Sequence, residues 1–201
     1  MPCVFSDPKY KYPPLLPDGE VSTKEFLEAC RGCFGGPFSL VKRDISNNVE
    51  VTYARYLLDK TAHSSLRKLV EADLAENGGK LGHAARSLLW LKRGLEFICA
   101  FLEELVQDHK AGTKSENLTT ICRRCYERTL KPHHGAISRQ LFNLVIRAVP
   151  WRHDLLQSIA GDPAMTEDEC IANIEQFLHN MTLNVQALVR LYVNLGLEKG
   201  S

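Results

Sequence analysis

Apolar positions recur at helical spacing through most of this chain, and no stretch alternates apolar and polar residues over the length of a strand. Ser22-Thr-Lys-Glu25 has the spacing of a capping box and predicts a first helix, which Gly35-Gly-Pro37 would end. A second helix is predicted over Phe38 to Asp59 and a third over Ser64 to Glu76, with Asn77-Gly-Gly79 as the break. A long central helix follows, from about Lys80 to His109. Beyond the polar link from Lys110 to Glu116, the pattern predicts helices over Asn117 to Leu130 and, past Pro132, over His134 to Val149, where Pro150 stops the run. A short helix over Arg152 to Ala160 precedes Thr166-Glu-Asp-Glu169, a second capping box, which opens a last long helix reaching about Leu195. Residues 2–18 are rich in Pro, Lys and Tyr without periodicity and are expected to form an extended arm. The expectation is an all-α fold of about eight helices in one domain over residues 21–201, preceded by an N-terminal arm over 1–20.

Within this pattern Leu88-Leu-Trp-Leu-Lys-Arg-Gly-Leu-Glu-Phe97 is apolar on several sides yet contains a Trp and a basic pair. A helix of that kind is buried or lines a cavity, because a solvent-facing helix confines its apolar residues to a stripe. Asp44 and Asn48, at i and i+4, lie on one helix face and offer two carboxylate acceptors beside an amide that both donates and accepts. That combination suits adjacent hydroxyls of a sugar. Trp90 offers a flat ring for the C–H face of such a sugar, with Arg86 one turn before it on the same face, and His134 follows Pro132 at the start of a helix. Each also has a plainer reading: Asp44 as a surface charge, Asn48 as a tolerated helix residue, Trp90 as core, His134 as a cap.

Composition narrows the function classes. With 201 residues, 44% of them hydrophobic, the chain can bury one sizeable core. A net charge of +1 gives no general attraction to nucleic acid. Seven cysteines, an odd count, together with the lack of an apolar leader in residues 1–20, point to a reduced, cytoplasmic protein. No apolar run approaches the roughly 18 residues a membrane span needs, so membrane contact is expected to be peripheral. Cys30-x-x-Cys33 and Cys122-x-x-Cys125 imitate halves of a zinc site but are far apart and sit within or beside helices. His153-Asp154 with His83, His133 and His179 imitates a metal-dependent phosphohydrolase, but Arg152-His-Asp154 opens a short helix, where Asp favours the positive end of the helix dipole, and that reading is set aside. No metal and no cofactor are expected.

Taken together these residues resemble the glycolipid transfer protein family. The resemblance runs from Phe38 to Leu195, with Val41-Lys-Arg-Asp-Ile-Ser-Asn-Asn48, Leu88-Leu-Trp-Leu-Lys-Arg-Gly-Leu95, Leu130-Lys-Pro-His-His-Gly135 and Arg147-Ala-Val-Pro150 in family order. It implies a two-layer helical sandwich, not an enzyme, that carries a glycosphingolipid between membranes, working as a monomer at the membrane surface. It also implies that Asp44 and Asn48 bind the sugar, that Trp90 stacks beneath it, and that His134 hydrogen-bonds the ceramide amide carbonyl while Asp44 receives the amide N–H. Phe97 and Phe142 would line the acyl pocket. Their spacing from Trp90 and His134 independently puts each on its partner's helix face.

The chain departs from the family pattern at four places. Val51 stands where glycolipid-binding members usually have Lys, and Arg86 occupies a position that is basic in the branch carrying ceramide-1-phosphate. Asn48 and Trp90 are of the glycolipid-binding type while Arg86 is of the other branch, and that mixture admits an anionic glycolipid, such as a sulfated one, beside a neutral one. The segment from Ser22 to Gly36 is shorter than the family's first helix by roughly two turns, about 5.4 Å each. Ala136 replaces a usual aromatic, and Trp151, with Ile137 nearby, is expected to take over membrane docking. The alternatives are a carrier of ceramide-1-phosphate or another anionic sphingolipid, and a helical adaptor without transfer activity.

Overall fold

The structure, a computed structural model, describes residue 5 and residues 11–32 and 39–198. It consists of α1 (Thr23–Gly32), α2 (Ser39–Leu58), α3 (Leu66–Glu76), α4 (His83–Lys110), α5 (Thr119–Thr129), α6 (Ala136–Val145), α7 (Arg152–Ala160) and α8 (Glu167–Asn194). Single 3₁₀ turns occupy Lys131–His133 and Ile146–Ala148. Among the described residues there is no strand, only isolated bridges between Ser22 and Ser65 and between Asn117 and Trp151.

Helix boundaries follow from identifiable residues. The capping box at the start of α8 is formed, with Thr166 accepting from the Glu169 N–H and Glu169 returning to the Thr166 N–H. Ser65, one residue later than the pattern predicts, caps α3 by accepting from the Lys68 N–H at 3.3 Å. The central helix starts at His83 rather than near Lys80, because the chain first folds back over the end of α3. There Asp73 accepts the Gly82 N–H at 2.8 Å, and a Cβ on Gly82 would collide with the Asp73 and Asn77 side chains. The helix expected over His134 to Val149 is shorter at both ends. His134 is extended, with φ −90° and ψ 129°, and the last turn tightens at Ile146 before Pro150. Gly35-Gly-Pro37, the expected end of the first helix, lies outside the described residues.

Helix α4 is the hub, packing against α2, α3, α5 and α8. Leu88, Leu91, Leu95, Leu102 and Leu105 are fully buried, which accounts for the lack of a polar stripe in this part of the helix. Two ion clusters link α4 to the C-terminal part of the chain. Arg152 at the start of α7 is buried against Asp108 of α4 and Glu167 of α8. Lys92 of α4 is buried against Glu96 and Glu198. Part of the N-terminal segment is packed rather than free: Phe5 stacks on Phe177 of α8 at 4.2 Å, Tyr12 meets the same ring edge-on, and the Asn184 amide donates to the Pro13 carbonyl at 2.7 Å. Among the described residues no helix is long and apolar enough to cross a membrane.

Candidate functional site

Four of the residues singled out above meet at the mouth of a cavity of about 500 Å³ between α2, α4, α5 and α6: Asp44, Asn48, Trp90 and His134 all line it. One helical turn separates Asp44 from Asn48. The buried Asn48 amide donates to the Asp44 backbone oxygen at 3.0 Å and lies 3.4 Å from its carboxylate Oδ2, which fixes the two side chains relative to each other. Asp44 itself is open to solvent at the rim. The Trp90 and His134 rings lie 5.9 Å apart, inclined by 33°, so α4 and the turn before α6 contribute two flat groups to one mouth.

The electrostatics of this rim are those of half-buried groups. Burial pushes the Asp44 carboxyl up, against the opposing attraction of His134. Burial also pushes His134 down, Asp44 works against it, and the guanidinium groups of Arg139 and Arg93 reinforce it. The result is a ring that resists protonation beside an acceptor-rich carboxyl.

Behind the rim the cavity is apolar. Phe97 and Phe142 meet edge-on at 6.5 Å, and Ile98, Phe101, Val145 and Leu155 continue the wall. Tyr126 of α5 stands behind this wall, stacked on Phe142 at 3.5 Å with its hydroxyl 3.1 Å from His134 Nδ1.

Arg86 is placed differently from the other expected head-group residues. It shares α4 with Trp90 but is exposed, does not line the cavity, and donates through Nη2 to the Leu81 carbonyl at 3.1 Å. The extended turn into α4 supplies that acceptor. Arg93 is the cation at Trp90, its guanidinium carbon 4.8 Å from the ring centroid. Ile137 and Trp151 are 76% and 54% exposed, and Leu141 and Leu144 on the same side of α6 as Ile137 are 57% and 60% exposed, forming an apolar ridge of which Leu141 also lines the cavity.

Sequence reasoning missed Arg93, Tyr126, Leu141, Leu144 and Glu198. The steps of four and three from Ile137 to Leu141 and Leu144 were a usable signal, as was Arg93 one turn after Trp90. Nothing local announced Glu198, which lies 105 residues from Arg93. Cys122 lines the cavity as a buried thiol pushed up to about 12 by desolvation, and Cys30 lies beside the Tyr12 hydroxyl; Cys33 is outside the described residues. His153 forms an exposed cluster with Glu116 and Asp154. Among the described residues no three His, Cys, Asp or Glu side chains converge as a metal-binding group.

A family model described as Glycolipid transfer protein (GLTP) matches residues 21–161. The chain belongs to the glycolipid transfer protein family. A Glycolipid transfer protein of Danio rerio is 31% identical over 94% of this chain and 95% of its own length. The human Pleckstrin homology domain-containing family A member 8 is also 31% identical, over 92% of this chain but 37% of its own, so the likeness is to one portion of that longer protein. Among solved structures, one showing how FAPP2 selects simple glycosphingolipids using the GLTP fold superposes with TM-score 0.85, at 28% identity, covering 98% of both chains. The fungal glycolipid transfer protein HET-C2 superposes with TM-score 0.74 at 29% identity, covering 96% of this chain and 93% of its own. Human ceramide-1-phosphate transfer protein, 17% identical with TM-score 0.77 over 91% of both chains, shares the fold. The all-α two-layer sandwich is therefore the GLTP fold.

Proposed function

We propose that this GLTP-family protein is a non-enzymatic carrier that extracts a glycosphingolipid from one membrane, holds its sugar at the rim and its ceramide chains in the cavity, and releases it at another. The observation that carries this reading is the direct opening of the Asp44, Asn48, Trp90 and His134 rim into the apolar cavity. In this reading Asp44 accepts from the sugar hydroxyls and the ceramide amide N–H, Asn48 completes the sugar contacts, Trp90 stacks beneath the ring, and His134 donates to the amide carbonyl. Phe97 and Phe142 enclose the chains. The likeness to the Danio rerio Glycolipid transfer protein and to the FAPP2 structure, which selects simple glycosphingolipids, supports a glycolipid as the cargo.

The energetics divide the work between the two parts of the site. Removing a lipid chain from a bilayer costs about 0.8 kcal/mol per CH₂, so a long chain needs apolar enclosure worth on the order of 10 kcal/mol. A wall of Phe, Ile, Val and Leu offers that enclosure. Hydrogen bonds at the rim contribute roughly 0.5–1.5 kcal/mol each, more to a carboxylate, and an unpaired group there costs a comparable amount. Chains thus set affinity, and the rim sets selectivity.

Docking onto the donor membrane is assigned to the α6 ridge of Ile137, Leu141 and Leu144 with Trp151 on the following turn, a peripheral contact made by a monomer from the cytoplasm. Arg86 is assigned no head-group contact while its guanidinium is bound to the Leu81 carbonyl, which favours a neutral over an anionic glycolipid. Transfer of labelled galactosylceramide, sulfated galactosylceramide and ceramide-1-phosphate between vesicles tests the reading. Neutral glycolipid should move fastest, and mass spectrometry of the purified protein should find glycosphingolipid. Faster transfer of ceramide-1-phosphate would overturn the head-group assignment, and failure to bind any of the three would favour an adaptor.

A further inference from the structure

We infer that Tyr126 is a positioning residue that fixes the tautomer and orientation of His134, so that the proton of the neutral ring sits on Nε2, the nitrogen left for the ligand. The inference rests on the proposed glycolipid site, in which His134 must donate to an amide carbonyl. Tyr126 is buried at 4% exposure on α5 and does not line the cavity, so it acts on a ligand through its neighbours. Its hydroxyl lies 3.1 Å from His134 Nδ1 and has no second partner among the described residues.

A neutral imidazole carries one proton, and which nitrogen bears it is set by the partner of the other. If Nδ1 carried the proton, it would donate to the Tyr126 oxygen, leaving the phenolic proton without an acceptor among the described groups and presenting Nε2 as an acceptor. With the phenol donating to Nδ1, the phenolic proton has its acceptor and Nε2–H is the group His134 offers to a ligand. Burial keeps His134 neutral and holds the Tyr126 phenol above its ordinary value, so the phenol remains a donor. The arrangement parallels metal-bound histidines, whose second nitrogen is held by an outer partner.

The geometry ties this proton to the apolar half of the site. The Tyr126 ring stacks on Phe142 at 3.5 Å and 6°, Phe142 meets Phe97, and both phenylalanines line the cavity. The tyrosine that orients the rim donor is therefore clamped by the wall that encloses the chains. Tyr126→Phe keeps the stack and removes only the hydroxyl, whereas Tyr126→Ala removes both.

Long-range proton–nitrogen spectra of the histidine rings in ligand-free protein separate the tautomers directly. The wild type should show His134 protonated on Nε2 alone, and Tyr126→Phe should show a mixture or a shift toward Nδ1, with helical circular dichroism unchanged. Glycolipid transfer by that variant should fall roughly three- to tenfold, the equivalent of one hydrogen bond. Tyr126→Ala should lose more and also melt lower. A wild-type His134 protonated on Nδ1, or a spectrum unchanged in Tyr126→Phe, would overturn the inference, as would a shifted tautomer with undiminished transfer. Failure of the underlying reading is distinguishable: His134→Ala would then leave transfer intact whatever the tautomer.

Discussion

Arg93 lies over Trp90, its guanidinium carbon 4.8 Å from the ring centroid, and is held there by Glu198, which accepts from Arg93 Nε at 2.9 Å. The cation thus engages the rim indole while its charge is balanced from the far end of the chain. Glu198 also pairs with the buried Lys92 at 2.5 Å, so one carboxylate anchors two consecutive basic residues of α4.

This anchoring gives a pH-dependent stability. Burial alone would raise the Glu198 carboxyl, but hydrogen bonds and charge attraction from Lys92 and Arg93 outweigh it and hold the group below its ordinary value. A depressed carboxylate contributes stability that is fully present above its unfolded pKa, about 4.3, and is lost as the pH falls through the folded value. Glu198→Gln should therefore cost about 1–3 kcal/mol at neutral pH, because Lys92 keeps only Glu96. Urea unfolding of both proteins at several pH values checks this: the gap should close as the pH drops below about 4. A gap that is absent at neutral pH, or independent of pH, would contradict it.

The apolar ridge predicts a separation of docking from binding. Ile137 and Leu144 are exposed and do not line the cavity, so Ile137→Ser with Leu144→Ser should spare binding of a glycolipid presented in solution. Burying a large aliphatic side chain is worth about 1.5–3 kcal/mol, so the double variant should sediment with vesicles at least about tenfold more weakly. Unchanged sedimentation would move the docking surface elsewhere.

Arg86 separates the neutral from the anionic reading. Its guanidinium is bound to the Leu81 carbonyl and remains exposed, so Arg86→Leu should leave the ratio of neutral to sulfated glycolipid transferred in a competition assay unchanged. A selective loss of the sulfated lipid by about tenfold or more, the scale of a hydrogen bond to a charged group, would show that Arg86 swings to the head group.

Much of this was legible in the sequence because helices are written locally. Thr166 and Glu169, Arg152 to Ala160, and the Asn77-Gly-Gly79 break all sit where pattern and cap chemistry put them. Asp44 and Asn48 were adjacent by periodicity alone, and the family resemblance joined them to Trp90 and His134, which lie on other elements. What escaped depends on tertiary placement. Arg86 is bound by the Leu81 carbonyl in the turn before α4, a contact the helical spacing does not announce; the docking of Phe5 and Tyr12 on α8 has no periodic signature; and the Glu198 clamp joins residues at distant points of the chain. Tyr126 was hidden because its partners, His134 and Phe142, lie beyond a proline turn whose geometry the spacing does not specify.

The most direct test of the central claim is vesicle-to-vesicle transfer of a labelled glycosphingolipid by Asp44→Val, measured beside circular dichroism and thermal melting of the same sample. Asp44 is exposed at the rim, and partial desolvation there raises its carboxyl, so in the ligand-free fold its charge is not a net source of stability. Its loss should spare the helices and the melting temperature. Near-complete loss of transfer with an unchanged fold is the expected result; transfer at close to the wild-type rate would contradict the assignment of this rim as the sugar-binding site.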